Sequence, residues 1–270
     1  MLNGAITTRM SPKTNNHQHI DFSQIIINPL AAKNVTQADS FGNTLFLYTL
    51  NKKLNTLCIA ANHIVTTFER KKIDYTNSTH WEDVAKKVRN MPELLVFLSE
   101  SDYISINSIF HDYAKKLFEK NAPLLIATES LIEQIYNDFT YAPSATTSST
   151  LALTAFQLRR GVCQDFSHIA ICCLRSLGIA ARYVSGYIDT TTNNQKLYPT
   201  ANDASHAWIS VYEPLQGWID FDPTNNKVVD ESYIEIGYGR DYSDLSPLTG
   251  HTDSAGKHQL KVLVDVKRLT

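Results

Sequence analysis

The chain has 270 residues, 43% hydrophobic and 19% charged, which is enough apolar material for a sizeable core in one or two domains and too little charge for disorder. A formal charge of −2 gives nothing to attract nucleic acid or an acidic membrane. No apolar stretch is long enough to span a bilayer and the start, MLNGAITTRMSPKTNNHQH, lacks the apolar centre of a secretory signal, so no nucleic-acid or membrane partner is expected and a cytoplasmic location is the default.

Residues 1–21 are polar and irregular and read as a disordered or loosely packed tail. From 22 the pattern is β. FSQIIINPL, NTLFLYTL and LNTLCIAANHIV are rich in β-branched and aromatic residues, with turn signals between them such as DSFGN at 39–43. This marks a β-rich N-terminal domain over 22–90, followed by a core over 91–270. MPELLVFLSE (91–100) predicts a short helix. NSIFHDYAKKLFEK (107–120) predicts another, with Asn107 as its N-cap. Residues 123–138 place Leu124, Ala127, Leu131 and Ile135 at helical spacing behind Pro123. FTYAPSATTSST is a loop, and LALTAFQLRR (151–160) is a short helix leading to Gly161.

The cleanest helix follows. Phe166, Ile169, Ala170, Cys173, Leu174 and Leu177 fall on one stripe, and Gly178 supplies a C′ stop. Beyond it IAARYVSGYI, HAWISVY, GWIDFD, SYIEIGY and HQLKVLVDVKRL read as strands, with a polar TTTNNQ tract at 190–195. Strands, then helices, then strands argue for an α+β fold rather than alternating βαβ units.

Four cysteines occur, with no metal-ribbon or CxxC spacing. Cys58, Cys172 and Cys173 read as small core residues. Cys163 differs. It stands at the start of the clean helix, three residues before the first apolar stripe residue. Helix N-termini favour a thiolate, and their free N–H groups can bind a developing oxyanion.

Two later segments supply partners. HAWISVY (206–212) and GWIDFD (217–222), linked by EPLQG, form a hairpin. Pairing Tyr212 with Trp218 places His206 diagonal to Asp222, about 7–8 Å between backbones and within side-chain reach. A slip of two residues puts them opposite each other, and a slip of one would turn the apolar sets onto different faces. Asp220 is farther from His206 in either allowed register. A base, a carboxylate that orients it and a thiol give the pattern of nucleophilic thiol catalysis. His168, five residues after Cys163 and about 140° round the helix, points elsewhere and reads as a group supporting the site from behind or as a structural one. Asp165 favours the helix N-terminus but opposes a thiolate. A zinc site of Cys163, His206 and Asp222 lacks the usual close ligand pairs. Arg240 could receive a carboxylate or pair with Asp241 or Asp244.

Taken together, GVCQDFSH, LRSLGIAARYVSGY, SHAW and GWIDFDPTN resemble the transglutaminase-like superfamily of papain-type thiol enzymes. DSFGN, FTYAP and GRDYSDLSPLTG resemble its bacterial branch, whose members carry a β-rich N-terminal region. Relatives begin with a further strand-forming segment that is not evident here. The resemblance spans about residues 22–267. It implies an α+β papain/transglutaminase-like core with catalytic Cys163, His206 and Asp222, reacting through a thioester acyl-enzyme on a peptide or protein amide. It implies no metal and no cofactor, since the calcium-binding extensions of animal transglutaminases have no counterpart. The expected activity is cleavage of an amide or isopeptide bond. The alternatives are transfer to an amine and a non-catalytic binding module. Tyr141, Tyr187, Trp208 and Tyr242 are candidates for an aromatic substrate slot, with Trp208 and Trp218 as candidate walls for an amine.

Overall fold

The computed structural model describes residues 4–51, 54–189, 205–252 and 259–269. In chain order, the N-terminal region gives β1 (Gly4–Thr8), β2 (Gln18–Asn28), β3 (Lys33–Ala38), β4 (Thr44–Leu50) and β5 (Cys58–Thr67). The helical middle gives α1 (Trp81–Val88), α2 (Pro92–Leu95), α3 (Ser108–Lys115), α4 (Leu124–Asp138), β6 (Thr140–Tyr141), α5 (Ala152–Leu158), β7 (Arg160–Gly161) and α6 (Cys163–Ser176). Then come β8 (Ala181–Ile188), β9 (Ser205–Glu213), β10 (Gly217–Asp222), β11 (Lys227–Val228), β12 (Tyr233–Gly239), α7 (Tyr242–Leu245) and β13 (Leu248–Thr252). The fold is α+β, with a five-stranded antiparallel sheet in the order β11-β10-β9-β8-β12 and a four-stranded sheet in the order β13-β1-β4-β3. β2 and β5 pair as a separate ribbon.

Three expectations need correcting. Residues 1–21 are not a loose tail: Gly4–Thr8 is a central strand, paired on one side with β4 and on the other with β13. A strand therefore does precede residue 10. HQLKVLVDVKRL is not a strand over its described residues 259–269, and Leu260 and Leu263 are exposed there. The boundary at 90 falls just after α1 and so assigns that helix to the β-rich start, whereas its Trp81, Val84 and Val88 are buried in the same core as α6. The TTTNNQ tract lies outside the described residues.

α6 is more deeply set than a one-stripe helix. Every residue from Gln164 to Arg175 is buried, because β8 and β9 cover one side and α3, α4 and α5 the others. It stops where expected. Gly178 sits at φ 79, its N–H bonds the carbonyl of Arg175 at 2.9 Å, and Ile179 N–H reaches back to Leu174 at 3.0 Å, which closes a Schellman motif. Arg175 ties this end down by donating to the carbonyls of Ser99, Ala181 and Arg240.

The β9–β10 hairpin has the expected register, with Trp218 opposite Tyr212 and Phe221 opposite Ile209. The buried Glu213 shapes its turn by accepting from Leu215 N–H at 2.7 Å and Gln216 N–H at 2.8 Å. Gly217 follows at φ 82.

The N-terminal region seals the outer edge of β12 with side-chain amides. Gln18 exchanges two hydrogen bonds with the backbone of Glu235, both at 2.7 Å, beside the β12 bulge. Asn43, from the DSFGN turn, does the same with Tyr238 at 2.8 and 3.1 Å. These amides take the place of the strand that an open edge would otherwise invite.

Candidate active site

Cys163 is the first residue of α6 and is partly buried. The turn before it is held by Asp165, whose Oδ2 accepts from Val162 N–H at 2.8 Å and from the Thr146 hydroxyl at 2.7 Å. Asp165 is thus a reach-back cap at the third helical position, which accounts for an acid so near the thiol. Burial pushes its carboxyl above the ordinary range, against the pull of those two donors. Gly161 is required at its place: a Cβ there would lie 2.5 Å from Asp165 Oδ2. The first intrahelical bond runs from Phe166 N–H to Val162 C=O at 3.1 Å, so the N–H groups of Cys163 and Gln164 have no intrahelical acceptor.

His206, at the start of β9, and Asp222, at the end of β10, are brought together as the diagonal pairing predicted. Nε2 of His206 lies 2.7 Å from Asp222 Oδ2, and both side chains are fully buried. Asp222 Oδ1 accepts from Thr224 N–H at 2.8 Å and Asn225 N–H at 3.2 Å, so the DPTN turn wraps round the carboxylate. Its Oδ2 also accepts from Asn225 Nδ2 and Tyr233 Oη, each at 2.6 Å. Burial alone would lower the His206 pKa, but the charge and hydrogen bond of Asp222, with a smaller part from the Cys163 thiol, raise it to about 10. Burial would likewise raise Asp222, yet His206 and the other donors hold it below the usual carboxylate range. Because Asp222 occupies Nε2, Nδ1 is the nitrogen left for the thiol. It makes no hydrogen bond of ordinary geometry among the described residues.

His168 is fully buried. Its ring is stacked against Tyr103 at 5.1 Å and tilted against Tyr183 at 5.1 Å, and Nε2 accepts from Tyr242 N–H at 3.2 Å. Burial pushes it down to about 3, so it stays neutral. Asp220 pairs with Arg70 at 2.7 Å. Arg240 is taken by Asp244, at 2.9 and 2.8 Å. Cys172 and Cys173 are core residues, whereas Cys58 is exposed on the β2–β5 ribbon, contrary to expectation.

The four aromatic residues do not line one slot. Trp208 is completely buried, edge-on to Tyr233 at 5.3 Å and pressed against Gly186, where a Cβ would meet its ring at 2.5 Å. Tyr187 points to Met10, donating to its carbonyl at 3.4 Å. Trp218 lies under the Arg182 guanidinium at 4.3 Å and edge-on to Phe97, so it forms no acceptor wall with Trp208. Tyr141 does lie beside the turn that precedes Cys163, paired with Gly161, and Tyr242 is partly exposed next to His168. Two contacts of Asp222 escaped the sequence reading. Asn225 was within reach of it, as the fourth residue of an Asp-Pro-Thr-Asn turn. Tyr233 carries no local signal, because its contact depends on how the sheet is assembled.

The transglutaminase-like superfamily profile matches residues 111–223, and the profile for the bacterial transglutaminase-like N-terminal region matches 3–66. An uncharacterized protein of Mycobacterium bovis is 35% identical over 268 residues, covering 95% of this chain and 84% of that one. The chain belongs to the transglutaminase-like superfamily. A Cytophaga hutchinsonii protein described as a cysteine-protease candidate has the same fold, with a TM-score of 0.77 at 23% identity over 99% of this chain and 87% of that one. A protein-glutamine gamma-glutamyltransferase of Pseudomonas aeruginosa is 33% identical over 87 residues, covering 32% of this chain and 13% of that protein. No helix among the described residues of this superfamily member is long and apolar enough to cross a membrane.

Proposed function

We propose that the chain is a thiol hydrolase that cleaves an amide or isopeptide bond through a Cys163 thioester. The observation that carries this reading is the buried His206–Asp222 pair, whose Nδ1 is left to a thiol at a helix start. His206 takes the Cys163 proton, and Sγ attacks the amide carbonyl. The oxyanion is received by the N–H groups at the start of α6. The C–N bond breaks as the imidazolium returns the proton to the leaving amine. Water, giving its proton to His206, then attacks the thioester, and the C–S bond breaks to release the acid and the thiol. Asp222 holds the ring with Nε2 occupied and stabilises the imidazolium throughout. Tyr141, opposite Gly161, is the candidate to flank the bound acyl chain.

Iodoacetamide should label Cys163 faster than Cys58, Cys172 or Cys173 at neutral pH, and Cys163→Ala should abolish amidase activity. Equal labelling of all four cysteines in the folded chain would sink the reading. Transfer to an amine is the second reading, favoured by the glutamyltransferase match over part of the core. It requires incorporation of a labelled primary amine into a glutamine-bearing protein, and hydrolysis without incorporation would exclude it.

A further inference from the structure

Tyr233 opens β12, which is separated from β10 in the sheet by β8 and β9. Its hydroxyl nevertheless donates to Asp222 Oδ2 at 2.6 Å, a contact that crosses the sheet rather than following a ladder. The phenol is 1% exposed and is aimed by its surroundings. Its ring stands edge-on to Trp208, interplanar angle 81°, and 6.0 Å from the His206 ring. The turn before it is built on Asp230, which accepts from Ser232 N–H at 3.0 Å and from Lys227 Nζ at 2.5 Å. A tyrosine used only as core filler has no need to spend its hydroxyl on the one carboxylate that holds the imidazole. A buried carboxylate, for its part, needs every donor it can find to stay ionised.

We infer that Tyr233 is a positioning residue, whose hydroxyl keeps Asp222 ionised and fixed so that His206 can pass a proton to and from Cys163. This rests on the thiol-hydrolase reading above. Three donors share Oδ2, from His206, Asn225 and Tyr233. Removing one makes the carboxylate easier to protonate and leaves more of its charge on the imidazolium. The sign is therefore fixed: without the hydroxyl, the acid side of the pair's titration moves to higher pH.

Tyr233→Phe keeps the ring against Trp208 and removes only the donor. Two quantities are read on the full chain, the His206 ring shifts by NMR across pH and the iodoacetamide rate at Cys163 across pH. In the Phe variant the acid inflection of both should rise by about one pH unit, a tenfold weaker hold on the ionised carboxylate. Site-specific 3-fluorotyrosine at 233, a more acidic phenol and a stronger donor, should move it down. A packing role would lower the melting temperature of the Phe variant and leave the inflection in place, which would overturn the inference. If the Phe variant does not fold, an unmoved inflection in the fluorotyrosine protein overturns it alone. Wild-type Cys163 reacting no faster than in the denatured chain would instead overturn the hydrolase reading, and the NMR arm is independent of that outcome.

Discussion

His206 and Asp222 titrate as one unit, and that has a measurable effect on stability. His206 has its pKa raised from 6.5 to about 10, so its contribution to stability is full below 6.5 and is lost as pH rises through about 10. Asp222 is lowered from 3.8, so its contribution is present above 3.8 and is lost as pH falls through the depressed value. Denaturant unfolding across pH should therefore find the pair's contribution greatest between these limits, and Asp222→Asn should flatten both flanks. Asp222→Ala, which leaves a buried imidazolium without its anion, should cost about 3–5 kcal/mol in the same assay. At this scale much of the site was legible. Cys163 was found from its place at a helix start, and His206 and Asp222 from period-two alternation on a short hairpin. Trp208 was misjudged because its burial depends on Gly186 in the neighbouring strand, where nothing occupies the space its ring fills. No pattern within SHAW discloses that.

Between residues and the whole molecule, the turn that leads into Cys163 is a unit made of three short pieces. β7 pairs in parallel with β6, Asp165 caps the turn, and Thr146 leans on Asp165 from the intervening loop. Gly161→Ala should push its new methyl into the Asp165 carboxyl, at a cost of about 1–3 kcal/mol by thermal unfolding, and should slow alkylation of Cys163. Asp165→Ala should cost about 1 kcal/mol, as lost caps do. The helices were legible where they carry their own punctuation. Asn107 caps α3, its side chain accepting from Ile109 N–H at 3.0 Å, and Gly178 stops α6. The hairpin register was legible because a slip of one residue would bury the wrong face. α1 was passed over because WEDVAKKV lies between a charged run and a predicted boundary, and its apolar side makes sense only once Trp81 and Val84 are seen in the shared core. HQLKVLVDVKRL shows the converse: alternation alone does not make a strand, and over its described residues the segment forms a bridge at Val264 and no ladder.

Across the whole molecule, the β-rich start and the thiol-bearing core are joined through β12. Asn43→Ala would leave both backbone groups of Tyr238 without partners, at about 1–3 kcal/mol each, and hydrogen exchange should rise along β12 before it rises in α6. Joints of this kind are not written locally: Gln18 and Glu235 are 217 positions apart, and either reads alone as an ordinary polar residue. A still longer separation hid β1, a run of five residues with little signal of its own, and its pairing with β13 sets an order in time. On a ribosome adding roughly 5–20 residues per second, β1 emerges on the order of ten to fifty seconds before its last partner. Until then it has β4 on one side and an unfilled edge on the other. A strand made early is thus among the last to be finished, with its edge open while synthesis runs on.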